Sequence, residues 1–194
     1  MDRKNFNKDA KLHKVCGSDD TRPALQYIYF KDGFAYATNA HICVKLSLFE
    51  ICNIDEIEFL NNKLLKGESY KEILKYDLVV AKFNGLECYD EDNKVSFFYF
   101  SENDDLKFPD VEKVISELYY SKNTEVDRIM FNPGYLRELV DAFPENFGII
   151  LNFKGHNNGV IITAENMDSI GLIMPRYMDQ VLNFKNQNDE HKND

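Results

Sequence analysis

The chain has 194 residues, 44% of them hydrophobic, and a formal net charge of -10; this length suits one sizeable core or two small ones sharing an interface, and the charge excludes a binder coated in positive charge. Its four cysteines, Cys16, Cys43, Cys52 and Cys88, form no C-x-x-C pair, which excludes a zinc ribbon or a dithiol redox motif and suits reduced thiols in a cytoplasm. The start MDRKNFNKDAKLHK is polar and no apolar run reaches membrane-spanning length, so the expectation is a cytoplasmic protein with no signal peptide, anchor or membrane partner.

In chain order, Phe6, Leu12 and Val15 form a sparse apolar side that predicts a short helix over 3–16, with Asn5 and Asn7 opposing it. Ala24 to Phe30 and Phe34 to Leu48 are rich in aromatic and β-branched residues, and Lys31-Asp32-Gly33 between them predicts a hairpin. That hairpin closes on the polar cluster Thr38-Asn39-Ala40-His41. A short helix over Gly67 to Leu74, capped by Ser69, has Tyr70, Ile73 and Leu74 as its apolar side.

Leu78 to Phe83, Gly85 to Tyr89 and Val95 to Phe100 follow as a three-stranded meander, parted by Asn84-Gly85 and by Asp90 to Asn93. Lys107 to Ile115 reads as a connector pinned to the body, with Pro109 disfavouring helix at Phe108. Arg128 to Phe131 predicts a strand and Pro133 a helix start, with Tyr135, Leu136, Leu139, Val140 and Phe143 on one face. Ile149 to Gly155 repeats the pattern of Val79 to Gly85, and Gly159 to Thr163 and Ser169 to Met174 supply two more strands. The order strand, helix, three strands therefore occurs twice, and each unit must stack beside its sister to cover its sheet.

Catalytic chemistry is not written in the chain. Phosphate-loop, zinc-protease and nucleophile-elbow motifs are missing, and His13, His41, His156 and His191 are scattered without acid or cysteine neighbours at ligand spacing. The expectation is no catalytic residue, no metal and no cofactor. Residues 1–14 carry five basic side chains against two acids, while 101–127 carry eight acids against three lysines; solvated helix faces account for such runs, and a local basic surface is the alternative.

Five segments in order resemble the bacterial sliding clamp, the β subunit of DNA polymerase III. Thr21-Arg22-Pro23-Ala24-Leu25 is similar to the family's T-R-P-V-L, and Ala37-Thr38-Asn39-Ala40-His41 to its A-T-D-G-H-R. Phe108-Pro109-Asp110-Val111 resembles F-P-D-Y, Phe131 to Leu136 resembles F-N-x-x-Y-L, and Met174-Pro175-Arg176 resembles the closing M-P-M-R. Ala40 departs from a glycine of the pattern and Ile42 from an arginine.

The resemblance implies an α+β chain with the DNA clamp, or processivity, fold, built from repeated β-α-β-β-β half-units and amounting to about one and a half clamp domains. Residues 1–115 would match the family's middle domain, 116–177 the end of its last domain, and 178–194 a mobile tail. It implies a peptide-binding pocket framed by Thr38, Asn39, His41, Pro109, Val114, Met174, Pro175 and Arg176, taking short linear peptides of a DNA polymerase or other clamp-binding proteins. Plain strand termination by Pro109 and Pro175 is the alternative. Helix lysines of clamps face the phosphate backbone, which carries over to Lys4, Lys8, Lys11, Lys14, Lys66, Lys71 and Lys75 as a surface for double-stranded DNA. Gln180-Val181-Leu182-Asn183-Phe184 partly resembles the Q-L-x-L-F peptides of clamp partners, so Gln180, Val181, Leu182 and Phe184 are candidates for filling the pocket of their own chain or of a second copy. The implied role is processivity or protein-protein interaction in DNA replication or repair; an adaptor or decoy that binds clamp partners without DNA is the second reading.

Overall fold

The computed structural model describes residues 3–92, 94–103, 105–144, 148–165 and 168–176. The tail bearing Gln180, Val181, Leu182 and Phe184 lies outside the described residues. The helix predicted over 3–16 is absent: Lys4 bridges Leu78 in parallel, Phe6 bridges Cys52, and only Leu12–Lys14 forms a 3-10 turn. The two asparagines explain the difference. Asn5, exposed to only 4%, donates from Nδ2 to the carbonyls of Ile73 (2.8 Å) and Tyr76 (2.7 Å), and Asn7 Oδ1 accepts from the Asp9 amide (3.0 Å). Side-chain amides that capture backbone groups in this way compete with helix, while Phe6, Leu12 and Val15 still reach the core.

Strand β1 (Tyr27–Lys31) and strand β2 (Phe34–Thr38) form the expected hairpin. Asp32 (φ 50°) and Gly33 (φ 81°) make its two-residue loop, with the left-handed pair that matches strand twist. The strand begins later than predicted because Pro23–Gln26 is a 3-10 turn. Strand β3 (Ile42–Ser47) runs into the short helix α1 (Leu48–Ile51), and β4 (Lys63–Lys66) returns to pair with β1. Helix α2 (Gly67–Ile73) starts two residues before the predicted cap Ser69, with Lys66 at the cap position and no side-chain cap bond. The meander follows as β5 (Leu78–Lys82), β6 (Gly85–Tyr89) and β7 (Val95–Tyr99).

The connector reading of Lys107 to Ile115 is overturned. Helix α3 (Val111–Tyr119) begins there, with Asp110 Oδ1 accepting from the Lys113 amide at 3.0 Å. Pro109-Asp110 is thus a helix start, and Val111 and Ile115, one turn apart, are buried. The strand predicted over Arg128 to Phe131 reduces to one bridge between Met130 and Arg176. Helix α4 (Pro133–Val140) is capped by Asn132, whose Oδ1 accepts from the Gly134 amide, and strands β8 (Ile149–Phe153), β9 (Val160–Ala164) and β10 (Ile170–Ile173) complete the chain.

Seven strands form one antiparallel sheet in the order β4-β1-β2-β3-β10-β9-β8, and β5-β6-β7 form another. The order helix, meander does occur twice, as α2 before β5–β7 and α4 before β8–β10, but the second unit lacks its predicted opening strand and its meander docks on β3 through β10, with Cys43 opposite Leu172. One sheet therefore crosses from the 1–115 stretch into the 116–177 stretch, and position 115 lies inside α3. Helix α4 packs on β10 and β3 from one side and α3 packs on β3, β9 and β10 from the other. Along β9, Val160 and Ile162 join the larger core with Leu139 and Phe143, while Ile161 joins Val111, Ile115 and Leu172 in a smaller one. Burial on both faces accounts for the continuous apolar run of that strand. No helix among the described residues is long and apolar enough to cross a membrane.

Candidate functional site

The polar cluster after β2 is a built corner. Thr38 Oγ1 donates to the Ile42 carbonyl (2.8 Å) and accepts from the Ala40 amide (3.1 Å). Asn39 Oδ1 accepts from the amides of His41 (2.9 Å) and Ile42 (3.0 Å), and its own amide donates to the Ile42 carbonyl (3.2 Å). Handedness is the constraint at the turn, since Ala40 sits at φ 74°, the left-handed region that favours glycine. The His41 ring stacks on Tyr135 of α4, with centroids 4.9 Å apart and planes 14° apart, and the His41 carbonyl accepts from the Met174 amide at 2.9 Å.

Beside this corner lies a cavity of about 340 Å³ with almost wholly apolar walls. The turn and β3 contribute Thr38, Ala40, His41, Ile42 and Cys43; the start of α3 contributes Pro109, Asp110, Val111 and Val114; β10 and its end contribute Leu172 and Met174, and Leu25 closes one side. Val114 and Met174 are 52% and 42% exposed, so two apolar side chains stand unburied at the mouth. Burial pushes the Cys43 thiol up to about 12, which keeps it protonated and makes it an apolar wall rather than a nucleophile. The arrangement offers dry volume for aliphatic or aromatic anchors.

Of the eight residues predicted for the pocket, Thr38, His41, Pro109, Val114 and Met174 line it. Asn39, Pro175 and Arg176 do not: Asn39 spends its side chain on the turn, Pro175 is half-buried next to Met174, and Arg176 is exposed with its amide donating to the Met130 carbonyl at 2.7 Å. Leu25, Ala40, Ile42, Cys43, Asp110, Val111 and Leu172 were missed. Leu25, Ala40, Ile42, Asp110 and Val111 stood in or beside the segments that carry the resemblance, whereas Cys43 and Leu172 look like ordinary core residues that only the pairing of β3 with β10 turns toward a common space.

Two side chains of the sheet clasp the start of α3. Tyr36 donates to Glu112 Oε2 (2.7 Å) and Lys45 Nζ to Glu112 Oε1 (2.8 Å). Burial pushes the Glu112 carboxyl up, but the hydrogen bonds from Lys45 and Tyr36 outweigh it and hold the group below its ordinary value.

The predicted helix lysines are redistributed. Only Lys71 lies within α2; Lys66 ends β4, Lys75 lies beyond the helix, and Lys4, Lys8, Lys11 and Lys14 belong to the irregular N-terminal arm. Lys4 pairs with Asp55, Lys14 with Asp141, Lys66 with Glu68 (3.5 Å) and Lys75 with Glu72 (2.6 Å). Burial first, and then the charges of Lys71, Lys14 and Lys11, lower His13 to about 4.

By sequence the chain matches no protein-family model and no curated protein. By fold it is similar to the DNA polymerase sliding clamp from Bacillus subtilis, with a TM-score of 0.58 and 15% identity over 90% of this chain and 64% of that one. It is also similar to the DNA polymerase III β subunit from Thermotoga maritima (TM-score 0.56, 10% identity, 93% of this chain and 66% of that one) and to the Helicobacter pylori β clamp (0.58, 14%, 91% and 67%). At such identities the likeness is one of fold. The α+β DNA clamp fold is present, over about two thirds of a clamp chain.

Proposed function

We propose that this chain is a non-enzymatic, sliding-clamp-like protein of DNA replication or repair that docks a short apolar peptide segment of a DNA polymerase or another partner. About one and a half clamp domains, 1–115 and 116–177, would meet along the β3–β10 pairing, with the docking site at that seam. One observation supports this reading above the others: three stretches far apart in sequence, around Thr38, Pro109 and Leu172, enclose one apolar cavity with unburied Val114 and Met174 at its mouth. Pockets of this character take extended peptides through a few apolar anchors.

A fluorescein-labelled peptide Gln-Leu-Ser-Leu-Phe titrated against the full chain by anisotropy tests the reading. Saturable binding that weakens about tenfold or more in Met174→Glu and in Val114→Glu is expected, because a carboxylate in the mouth must be desolvated when an apolar anchor enters. Both positions are exposed enough for the fold to tolerate the change. Binding that ignores both substitutions refutes the site.

The adaptor reading, without DNA contact, is favoured by a separate observation. Lys4, Lys14, Lys66 and Lys75, four of the seven lysines carried over for DNA, are already paired with carboxylates. Retention on immobilised duplex DNA at 50 and 200 mM salt decides: a phosphate-binding surface shows a steep salt-dependent loss, and an adaptor shows no retention at either.

A further inference from the structure

On the other side of the Pro109–Val111 segment lies a second cavity of about 490 Å³, which shares Pro109, Asp110 and Val111 with the first. Four aromatic rings and five charged side chains line it. Tyr29 lies 5.4 Å from Phe108 and 6.4 Å from Tyr36, and Phe34 lies 6.4 Å from Tyr36, all centroid to centroid. Lys45 Nζ already stands 4.2 Å above the Phe34 ring, so the ring surface accepts a cation in the folded chain.

The charges around these rings are unequal. Glu112 and Lys45 neutralise each other across 2.8 Å. That leaves Asp32 and Asp110 against Lys31 among the remaining ionisable groups of the lining, and neither aspartate enters an ion pair among the described residues. An acidic side chain placed here meets two carboxylates, whereas a guanidinium meets ring faces and carboxylate oxygens together, the pairing for which its flat delocalised charge is suited.

We propose that this aromatic cavity is a second subsite of the docking surface, taking a basic side chain, arginine above lysine, that the partner peptide carries beside its apolar anchor. The proposal rests on the peptide-docking reading and adds partner chemistry to it: an apolar anchor enters the pocket at Met174, the chain crosses the Pro109 ridge, and the cation lies on Tyr29 and Phe108 between Asp32 and Asp110. The formal charge of -10 on the chain as a whole favours the same class of partner at long range.

The test uses the full chain and the labelled peptide Gln-Leu-Ser-Leu-Phe, alone and extended at either end by Arg-Gly-Arg or Glu-Gly-Glu. An arginine extension at one end is expected to tighten binding about fivefold or more, with the gain shrinking as salt rises, and glutamate extensions are expected to give no gain. In Asp32→Asn, which keeps a residue tolerant of φ 50° at that turn position, the arginine gain falls at least about threefold while the unextended peptide binds as before. Arginine extensions without benefit at either end, or a benefit that survives Asp32→Asn, overturn the second subsite and leave the first intact. An unextended peptide that fails to bind overturns the docking reading and this proposal with it.

Discussion

Replacing Ala40 with glycine is expected to stabilise the protein, although it deletes a methyl group at the rim of the pocket. Ala40 is an exposed residue at φ 74° in the β2–β3 turn, where an L side chain costs about 1–2 kcal/mol relative to right-handed backbone. Glycine removes that cost but gains about 0.4–1 kcal/mol of unfolded-state freedom. The difference is a net stabilisation of about 0.5–1 kcal/mol, or an increase of about 1–4 °C in Tm for a chain of this size. The turn hydrogen bonds from Thr38 and Asn39 use backbone groups that glycine retains, so the pocket rim keeps its shape. Thermal unfolding followed by far-UV circular dichroism, with guanidinium midpoints as a second measure, reads the effect. Ala40→Val is the control, because a β-branched side chain in the left-handed region is a larger strain, and its Tm is expected to fall. A Tm that drops in Ala40→Gly and holds in Ala40→Val would refute the left-handed turn and the corner built on it.

His13 is held below the range of a surface histidine, since burial and then the lysines Lys71, Lys14 and Lys11 lower it to about 4 from 6.5. The unfolded chain binds this proton first, so stability is expected to fall as pH drops from about 6.5 toward 4; His13→Gln should flatten that part of a urea-midpoint profile, and an unchanged slope counts against the burial. Lys154, exposed to only 7%, donates from Nζ to the carbonyls of Tyr119 (2.9 Å) and Ser121 (2.7 Å) at the end of α3. Lys154→Met leaves both carbonyls without that donor, at a cost of about 1–3 kcal/mol, and amide exchange should quicken in the last turn of α3 before it does in α4.

Residues 3–16 and Lys107 to Ile115 depart from their sequence expectation in opposite senses, a helix lost and a helix gained, and both departures are physical. Residues 3–16 have the spacing of a helix, but the Asn5 amide satisfies carbonyls at the end of α2 and the Asn7 side chain closes a local turn, so tertiary partners outbid a weak propensity. Pro109-Asp110 carries a helix-start signal that reads equally as a connector, and the buried face of Val111 and Ile115 acquires meaning only against Leu172 and Ile161. The pocket divides in the same way: Thr38, His41, Pro109, Val111, Val114 and Met174 stood in or beside recognisable segments, whereas Cys43 and Leu172 were indistinguishable from core.

Local order was written in the residues themselves. Asp32-Gly33 determined a hairpin because both positions need positive φ, Asn132-Pro133 determined the start of α4 because a cap and a preset φ coincide there, and the short apolar and aromatic runs of β5 to β10, parted by turn residues, determined two meanders. Which strand meets which was decided only in three dimensions. Pairing β3 with β10 depends on complementary surfaces brought together across most of the chain, a contact that no local propensity encodes, and it is that one contact which places Met174 beside His41 and gives the molecule its cavity.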